Sequence, residues 1–183
     1  NVVPGRANRM LFRIAAKIAV SFPETQKSLG ALSAKAVHTG NPIRASLYRD
    51  DRVSSAKRFG LDPQKFTILV IGGSQGARAL NEKFLAALAK IDPNTKAALQ
   101  VIHITGPVDY RAAMYEYRKL GLEHRVYSFV DEIEDAYSMA DLAVTRSGAS
   151  AMFELALFGK PMILVPYPFA MSHQAQNAKV FSK

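Results

Sequence analysis

Phe66-Thr67-Ile68-Leu69-Val70-Ile71-Gly72-Gly73-Ser74-Gln75-Gly76-Ala77-Arg78 carries an apolar, β-branched run straight into a glycine-rich turn. A run without polar alternation reads as a strand buried on both faces, as in a parallel sheet. The same unit recurs downstream. Leu80, Phe84, Leu88 and Ile91 fall on one face of a helix that Asp92-Pro93-Asn94 stops. Leu99–Ile104 is the next strand, and Val108–Leu120 the next helix, ended by Gly121. Val126–Val130, Leu142–Thr145 and Met162–Val165 read as strands; Glu132–Met139, Ser150–Phe158 and Ser172–Phe181 read as helices. Five strand–helix units in alternation predict an α/β fold, a Rossmann-like parallel sheet with helices on both faces. Ligands bind such sheets outside the carboxyl ends of the strands. Function is therefore expected in the loops after Ile71, Thr105, Val130, Thr145 and Val165.

Toward the N-terminus, Arg6–Val20 reads as a helix. Leu11, Ile14, Ala15, Ile18 and Ala19 recur at spacings of three and four, and Arg9, Arg13 and Lys17 share another face. That basic face is either solvated or turned toward anionic lipid. Thr39-Gly40-Asn41-Pro42 is a turn or linker signal, which places a boundary near Ile43.

The 183 residues hold 24 Lys+Arg against 15 Asp+Glu, a net charge of +9. The excess fits an anionic partner or plain solubility. No basic block or aromatic-rich basic stripe is present, so nucleic acid is not expected. The absence of Cys excludes a disulfide scaffold, a thiolate zinc site and a cysteine nucleophile. The four His are scattered, and no Asp-x-Asp pair stands ready to hold a divalent ion, so no metal site is expected. No apolar run approaches the ~18 residues of a membrane span. The first residue is Asn1 rather than Met, and the chain is expected to be a piece of a longer protein.

Three loops can carry chemistry. Gly72–Gly76 lets backbone N–H groups approach a phosphate, aided by the helix dipole; the other reading is a tight turn that needs glycine. It is neither a dinucleotide fingerprint nor a P-loop. Arg146-Ser147-Gly148-Ala149-Ser150 repeats the arrangement, with Glu154 following. Glu154 either compensates the helix dipole or accepts hydrogen bonds from both hydroxyls of a ribose. Ser172-His173-Gln174-Ala175-Gln176-Asn177 offers amides for sugar hydroxyls, or a cap and surface amides. His103, at a strand end, is either structural or in touch with ligand.

Gly-Gly-Ser-Gln-Gly-Ala-Arg (Gly72–Arg78), Gly-Asn-Pro-Ile-Arg (Gly40–Arg44), Arg-Ser-Gly-Ala (Arg146–Ala149), Glu154 and the Pro166…Gln174…Asn177 stretch together closely resemble the MurG family of peptidoglycan glycosyltransferases, glycosyltransferase family 28. The resemblance covers essentially the whole chain. It implies the GT-B architecture of two Rossmann-like domains facing a cleft. Residues 1–43 would be the end of the N-terminal acceptor domain and linker, and residues 44–183 a truncated C-terminal donor domain. The implied reaction moves N-acetylglucosamine from UDP-N-acetylglucosamine to undecaprenyl-pyrophosphoryl-MurNAc-pentapeptide (lipid I), giving lipid II with inversion and without metal or other cofactor.

Donor contacts carry over position by position. Asn1 borders the cleft, and Arg44 follows the linker. Ser74, with Gly73, Gln75 and Gly76, meets the diphosphate. Val130 stands where the family usually has isoleucine, and its backbone meets uracil. Ser147, Gly148, Ala149 and Ser150 form the helix-start segment, Glu154 meets the ribose, and Gln174 meets the N-acetylglucosamine. His103 falls near a strand-end histidine of the family. The general base and acceptor face are expected in the N-terminal part that this chain lacks, so the fragment alone is expected to be inactive. The intact protein would be peripheral on the cytoplasmic face of the bacterial membrane. Two alternatives stay open: a related GT-B glycolipid transferase, and a non-catalytic nucleotide-sugar-binding subunit.

Overall fold

The unbroken apolar run Phe66–Ile71 forms a strand whose last five residues are buried. Around it, a computed structural model describes residues 1–48, 51–73, 76–168 and 173–182. In chain order the elements are α1 (Arg6–Ile14), β1 (Ile18–Val20), α2 (Pro23–Ser28), β2 (Ala36–His38), α3 (Arg52–Phe59), β3 (Phe66–Ile71), α4 (Arg78–Ala89) and α5 (Pro93–Ala98). They continue with β4 (Leu99–Ile104), α6 (Tyr110–Leu120), β5 (Glu123–Tyr127), α7 (Ile133–Met139), β6 (Leu142–Thr145), α8 (Ala149–Leu157), β7 (Met162–Leu164) and α9 (His173–Phe181). The chain divides into two compact units, residues 1–43, 147–153 and 166–183 in one and residues 44–146 and 154–165 in the other.

In the first unit β1 and β2 pair in parallel, Ile18 opposite Ala36 and Val20 opposite His38. Phe12, Ala15, Leu29 and Leu32 pack on Ile18, Val20 and Ala36. The helix expected over Arg6–Val20 therefore ends at Ile14, and its last residues are a strand. Ile18 and Val20 are buried while Ala19 is exposed, an alternation of two in place of the helical spacing read through Ile18 and Ala19. Lys35 Nζ closes the helix end by donating to Ala15 O at 2.9 Å. Phe22 meets Phe153 tilted and Phe181 edge-on, at centroid distances of 5.2 and 6.1 Å.

The second unit is a five-stranded sheet in the order β5-β4-β3-β6-β7, every pair parallel. Successive strands run from β3 to one side and then from β3 to the other. The strand order thus reverses between β3 and β6, where such sheets open a crevice. Val70, Leu80, Leu88, Val101, Ala113, Tyr117 and Val126 form its main core. Two helices here escaped the periodicity reading. Short α3 precedes the sheet, and Asp92 caps α5 by accepting from Thr95 N–H at 3.0 Å, so the expected stop is also a start. β5 begins at Glu123, earlier than expected, and leaves Val130 in the loop beyond it. As an edge strand it tolerates polar residues; Arg125 Nε donates to Phe59 O at 2.6 Å.

One ionic clamp ties the unit together. Arg52 donates to Pro63 O (2.8 Å), Lys65 O (3.0 Å) and Met139 O (2.8 Å), and to both Asp141 oxygens at 3.1 and 2.9 Å. Asp141 Oδ2 also accepts from Thr67 N–H at 2.7 Å. Removing the guanidinium strands three carbonyls and a carboxylate. Arg52→Ala is expected to lower unfolding free energy by about 2 kcal/mol, read by urea titration.

Candidate functional site

The glycine turn after β3 is built on missing side chains. A Cβ on Gly72 would overlap Ala77 N and lie 2.8 Å from Ala77 Cβ. Gly76 has φ +77°, and a Cβ there would overlap Thr105 O and lie 3.1 Å from Gly106 Cα. Gly76 N–H donates to Gly73 O at 2.9 Å, closing the turn. The tight turn is thus real, and it delivers the chain to the start of α4. Ser74 and Gln75 lie outside the described residues.

That start is uncapped. The N-cap position is Ala77, with no side-chain hydrogen bond and no acidic residue in the first turn. Ala is among the poorest N-caps. By contrast α3 and α5 are capped by Asp51 and Asp92. Among the described residues no side chain caps the first N–H groups of α4, at the positive end of a 12-residue helix. This is the arrangement that binds an external anion.

Glu154 lies in the second turn of α8, beyond the first turn where dipole compensation acts. Its Oε2 accepts from Tyr137 O–H at 2.7 Å. Tyr137 is buried, and desolvation together with Glu154 raises its phenol far above the ordinary range. The Arg44 guanidinium acts in the opposite sense on the same phenol. Arg44 and Glu154, 110 positions apart, are thereby brought to one neighbourhood through Tyr137. Glu154 Oε1 has no hydrogen-bond partner among the described residues. Tyr137 was not singled out in the sequence, because an aromatic in a short helix reads as core. Val130 is half-buried in the loop after β5.

His103 is fully buried in β4. Its Nδ1 meets Tyr117 Oη at 2.9 Å and its Nε2 meets Asn81 Oδ1 at 3.1 Å. Burial lowers its pKa to about 3, so the ring is neutral. Of the two readings open for His103, the structure selects the structural one.

In the first unit, Asn177 is fully buried and central. Its Oδ1 accepts from Val2 N–H at 2.8 Å, and its Nδ2 donates to Asn1 Oδ1 at 2.9 Å and Ser147 O at 3.0 Å. Sequence reasoning placed Asn177 in an amide cluster and missed this role, since its partners lie far away in the chain. Gly148 O accepts from Met152 N–H at 3.2 Å, opening α8; Ala149 is half-buried and Ser150 exposed. Ser147 is fully buried, and its Oγ has no hydrogen-bond partner among the described residues. Gln174 Oε1 accepts from Tyr167 N–H at 2.8 Å. Among the described residues no three His, Asp or Glu side chains cluster as metal ligands, and no helix is long and apolar enough to cross a membrane.

Residues 67–183 match the model of the glycosyltransferase family 28 C-terminal domain. A UDP-N-acetylglucosamine--N-acetylmuramyl-(pentapeptide) pyrophosphoryl-undecaprenol N-acetylglucosamine transferase of Thermodesulfovibrio yellowstonii is 39% identical, over 98% of this chain and 48% of its own. The enzyme of the same name from Halothermothrix orenii is 36% identical, over 100% of this chain and 51% of its own. The chain thus spans about half the length of the curated relatives it matches. The crystal structure of Acinetobacter baumannii MurG is similar with a TM-score of 0.73 and 30% identity, covering 100% of this chain and 48% of that one. Anabaena HepE, solved with UDP and glucose, shares the fold at a TM-score of 0.50 and 13% identity, over 85% of this chain and 48% of its own.

The neutral imidazole makes stability depend on pH. The unfolded ring binds a proton near 6.5 and the folded ring only near 3, so the unfolded state holds more protons between those values. Stability is complete above the upper value and falls as pH is lowered, by up to about 1.4 kcal/mol per unit. His103→Gln removes this slope, which urea unfolding of both proteins from about pH 7 to 4 reads directly.

Proposed function

The chain belongs to glycosyltransferase family 28, and on that premise we propose that it carries the donor-binding part of the enzyme that makes lipid II. The whole protein transfers N-acetylglucosamine from UDP-N-acetylglucosamine to lipid I. In this reading residues 1–43 are the end of the acceptor domain with the linker, and residues 44–183 the donor domain. The observation that carries it is the start of α4 behind the glycine turn, where the N-cap residue Ala77 offers no side-chain acceptor and the first turn holds no acidic residue.

The UDP diphosphate lies over Gly73, Gly76 and the first turn of α4, with Ser74 and Gln75 as further contacts. The ribose hydroxyls donate to Glu154, whose carboxylate Tyr137 holds in place. The uracil meets the backbone of Val130. The family resemblance adds Asn1, Ser147, Gly148, Ala149, Ser150 and Gln174 as donor contacts. The buried Ser147 Oγ, without a partner among the described residues, is in keeping with a polar group supplied from outside the protein.

In the reaction a sugar hydroxyl of lipid I attacks the anomeric carbon from the face opposite the diphosphate. The new glycosidic bond forms as the bond to the UDP oxygen breaks, with inversion. A general base outside this chain takes the hydroxyl proton. Negative charge grows on the leaving diphosphate, where the α4 N–H groups, the helix dipole and Arg44 stabilise it.

The acceptor is a lipid, and the intact protein works as a peripheral enzyme on the cytoplasmic face of the bacterial membrane. α1 supports this: it has no buried residue, and Met10 (73%) and Ile14 (83%) are exposed on a helix that also carries Arg6, Arg9 and Arg13.

Calorimetry on the full-length protein tests the reading. UDP-N-acetylglucosamine should bind in preference to ADP- and GDP-sugars. Glu154→Ala should weaken it by about ten- to a hundred-fold, the loss of one or two charge-assisted hydrogen bonds. Wild-type activity after Ser74→Ala and Glu154→Ala would overturn it.

A further inference from the structure

Asn81, one turn into α4, is 2% exposed and makes three side-chain contacts. Its Nδ2 donates to Thr105 O and to Asp109 Oδ2, both at 2.9 Å. With both amide hydrogens committed, Oδ1 must accept, so His103 Nε2 carries the ring proton at 3.1 Å. His103 Nδ1 is then the acceptor for the Tyr117 hydroxyl at 2.9 Å. One buried chain therefore runs from α6 through β4 to α4, with every polarity fixed. It ends on Thr105 O, the same carbonyl on which Gly76 lies.

We infer that the Tyr117–His103–Asn81 chain positions the glycine turn for the donor diphosphate. It does so by fixing the first turn of α4 against the end of β4. This rests on the donor reading above. His103 and Asn81 are positioning residues: they touch no substrate and act through Thr105 and Gly76. An apolar trio of the same volume would fill the core equally well. It would leave the Thr105 carbonyl without its donor and the α4 start free to shift by tenths of an ångström. Anion donors need heavy-atom distances of about 2.7–3.1 Å, so a shift of that size matters to a diphosphate. It matters little to a base and ribose held by Val130 and Glu154. The chain fixes orientation as well as distance, because each hydrogen bond sets the donor sense of the next.

The test compares two ligands on the full-length protein, UDP by calorimetry and uridine by ligand-observed NMR. Asn81→Leu and His103→Leu should weaken UDP binding and raise the donor KM by about ten-fold, with uridine affinity unchanged within about two-fold. His103→Gln keeps an N–H toward Asn81 and should restore UDP binding to within about three-fold of wild type. Equal losses for UDP and uridine, or undiminished UDP binding, would overturn the inference. If the Leu variants do not fold, Tyr117→Phe decides. It keeps the ring stacked on His124 at 4.9 Å and removes only the hydroxyl. A selective loss of UDP affinity of about three-fold supports the inference, and none overturns it. A wild-type protein that binds neither ligand removes the donor reading, and this inference with it.

Discussion

The backbone of Gly76 rests on the carbonyl of Thr105, a contact that only a hydrogen in place of a side chain permits. The ends of two neighbouring strands are thereby locked together. Because the turn after β3 is pressed onto β4, α4 starts close to the sheet edge, and its first N–H groups face the region beyond the strand ends. Thr105 O serves two neighbours at once, Gly76 above it and the Asn81 amide beside it. A change at either reaches the other. Gly76 and the start of α4 are therefore held against the end of β4.

The treatment of helix ends follows from the same economy. α3 and α5 satisfy their first turns with aspartates of their own. α4 does not, and it even opens on Arg78, which an exposed Glu82 answers at 2.8 Å one turn later. A cation at a helix start works against the dipole. Both departures meet at the helix that follows the glycine turn, although α6 and α7 also start without a side-chain cap hydrogen bond.

Much of this was legible in the sequence, and the exceptions share a cause. β3, β4 and β6 were visible because burial on both faces leaves mostly apolar, β-branched residues in the run, with no alternation of polar ones. β1 was hidden because Ile18, which pairs with Val20 at a period of two, also fits with Leu11 and Ile14 a period near 3.6. β5 was displaced because an edge strand keeps polar residues such as Glu123 and Arg125. At the site, the glycine turn could be read directly, and even the missing cap is visible in Ala77. The Tyr137–Glu154 pair could not be read, since 17 residues separate two side chains that only the sheet order brings together. For His103 the decisive facts were its burial and its two partners on different helices, neither of which a single strand records.

The clamp between Arg52 and Asp141 spans 89 positions of the chain. During synthesis Arg52 leaves the ribosome long before its carboxylate partner exists. At about 5–20 residues per second the interval is roughly 4–18 s. Once Ile71 has been made, β3, a strand covered on both faces and paired on both edges in the fold, has no β6 to pair with for the rest of it. The nascent chain thus passes through a defined window of exposed apolar edge, closed only by the arrival of Asp141. A cell's chaperones would meet this protein in that window.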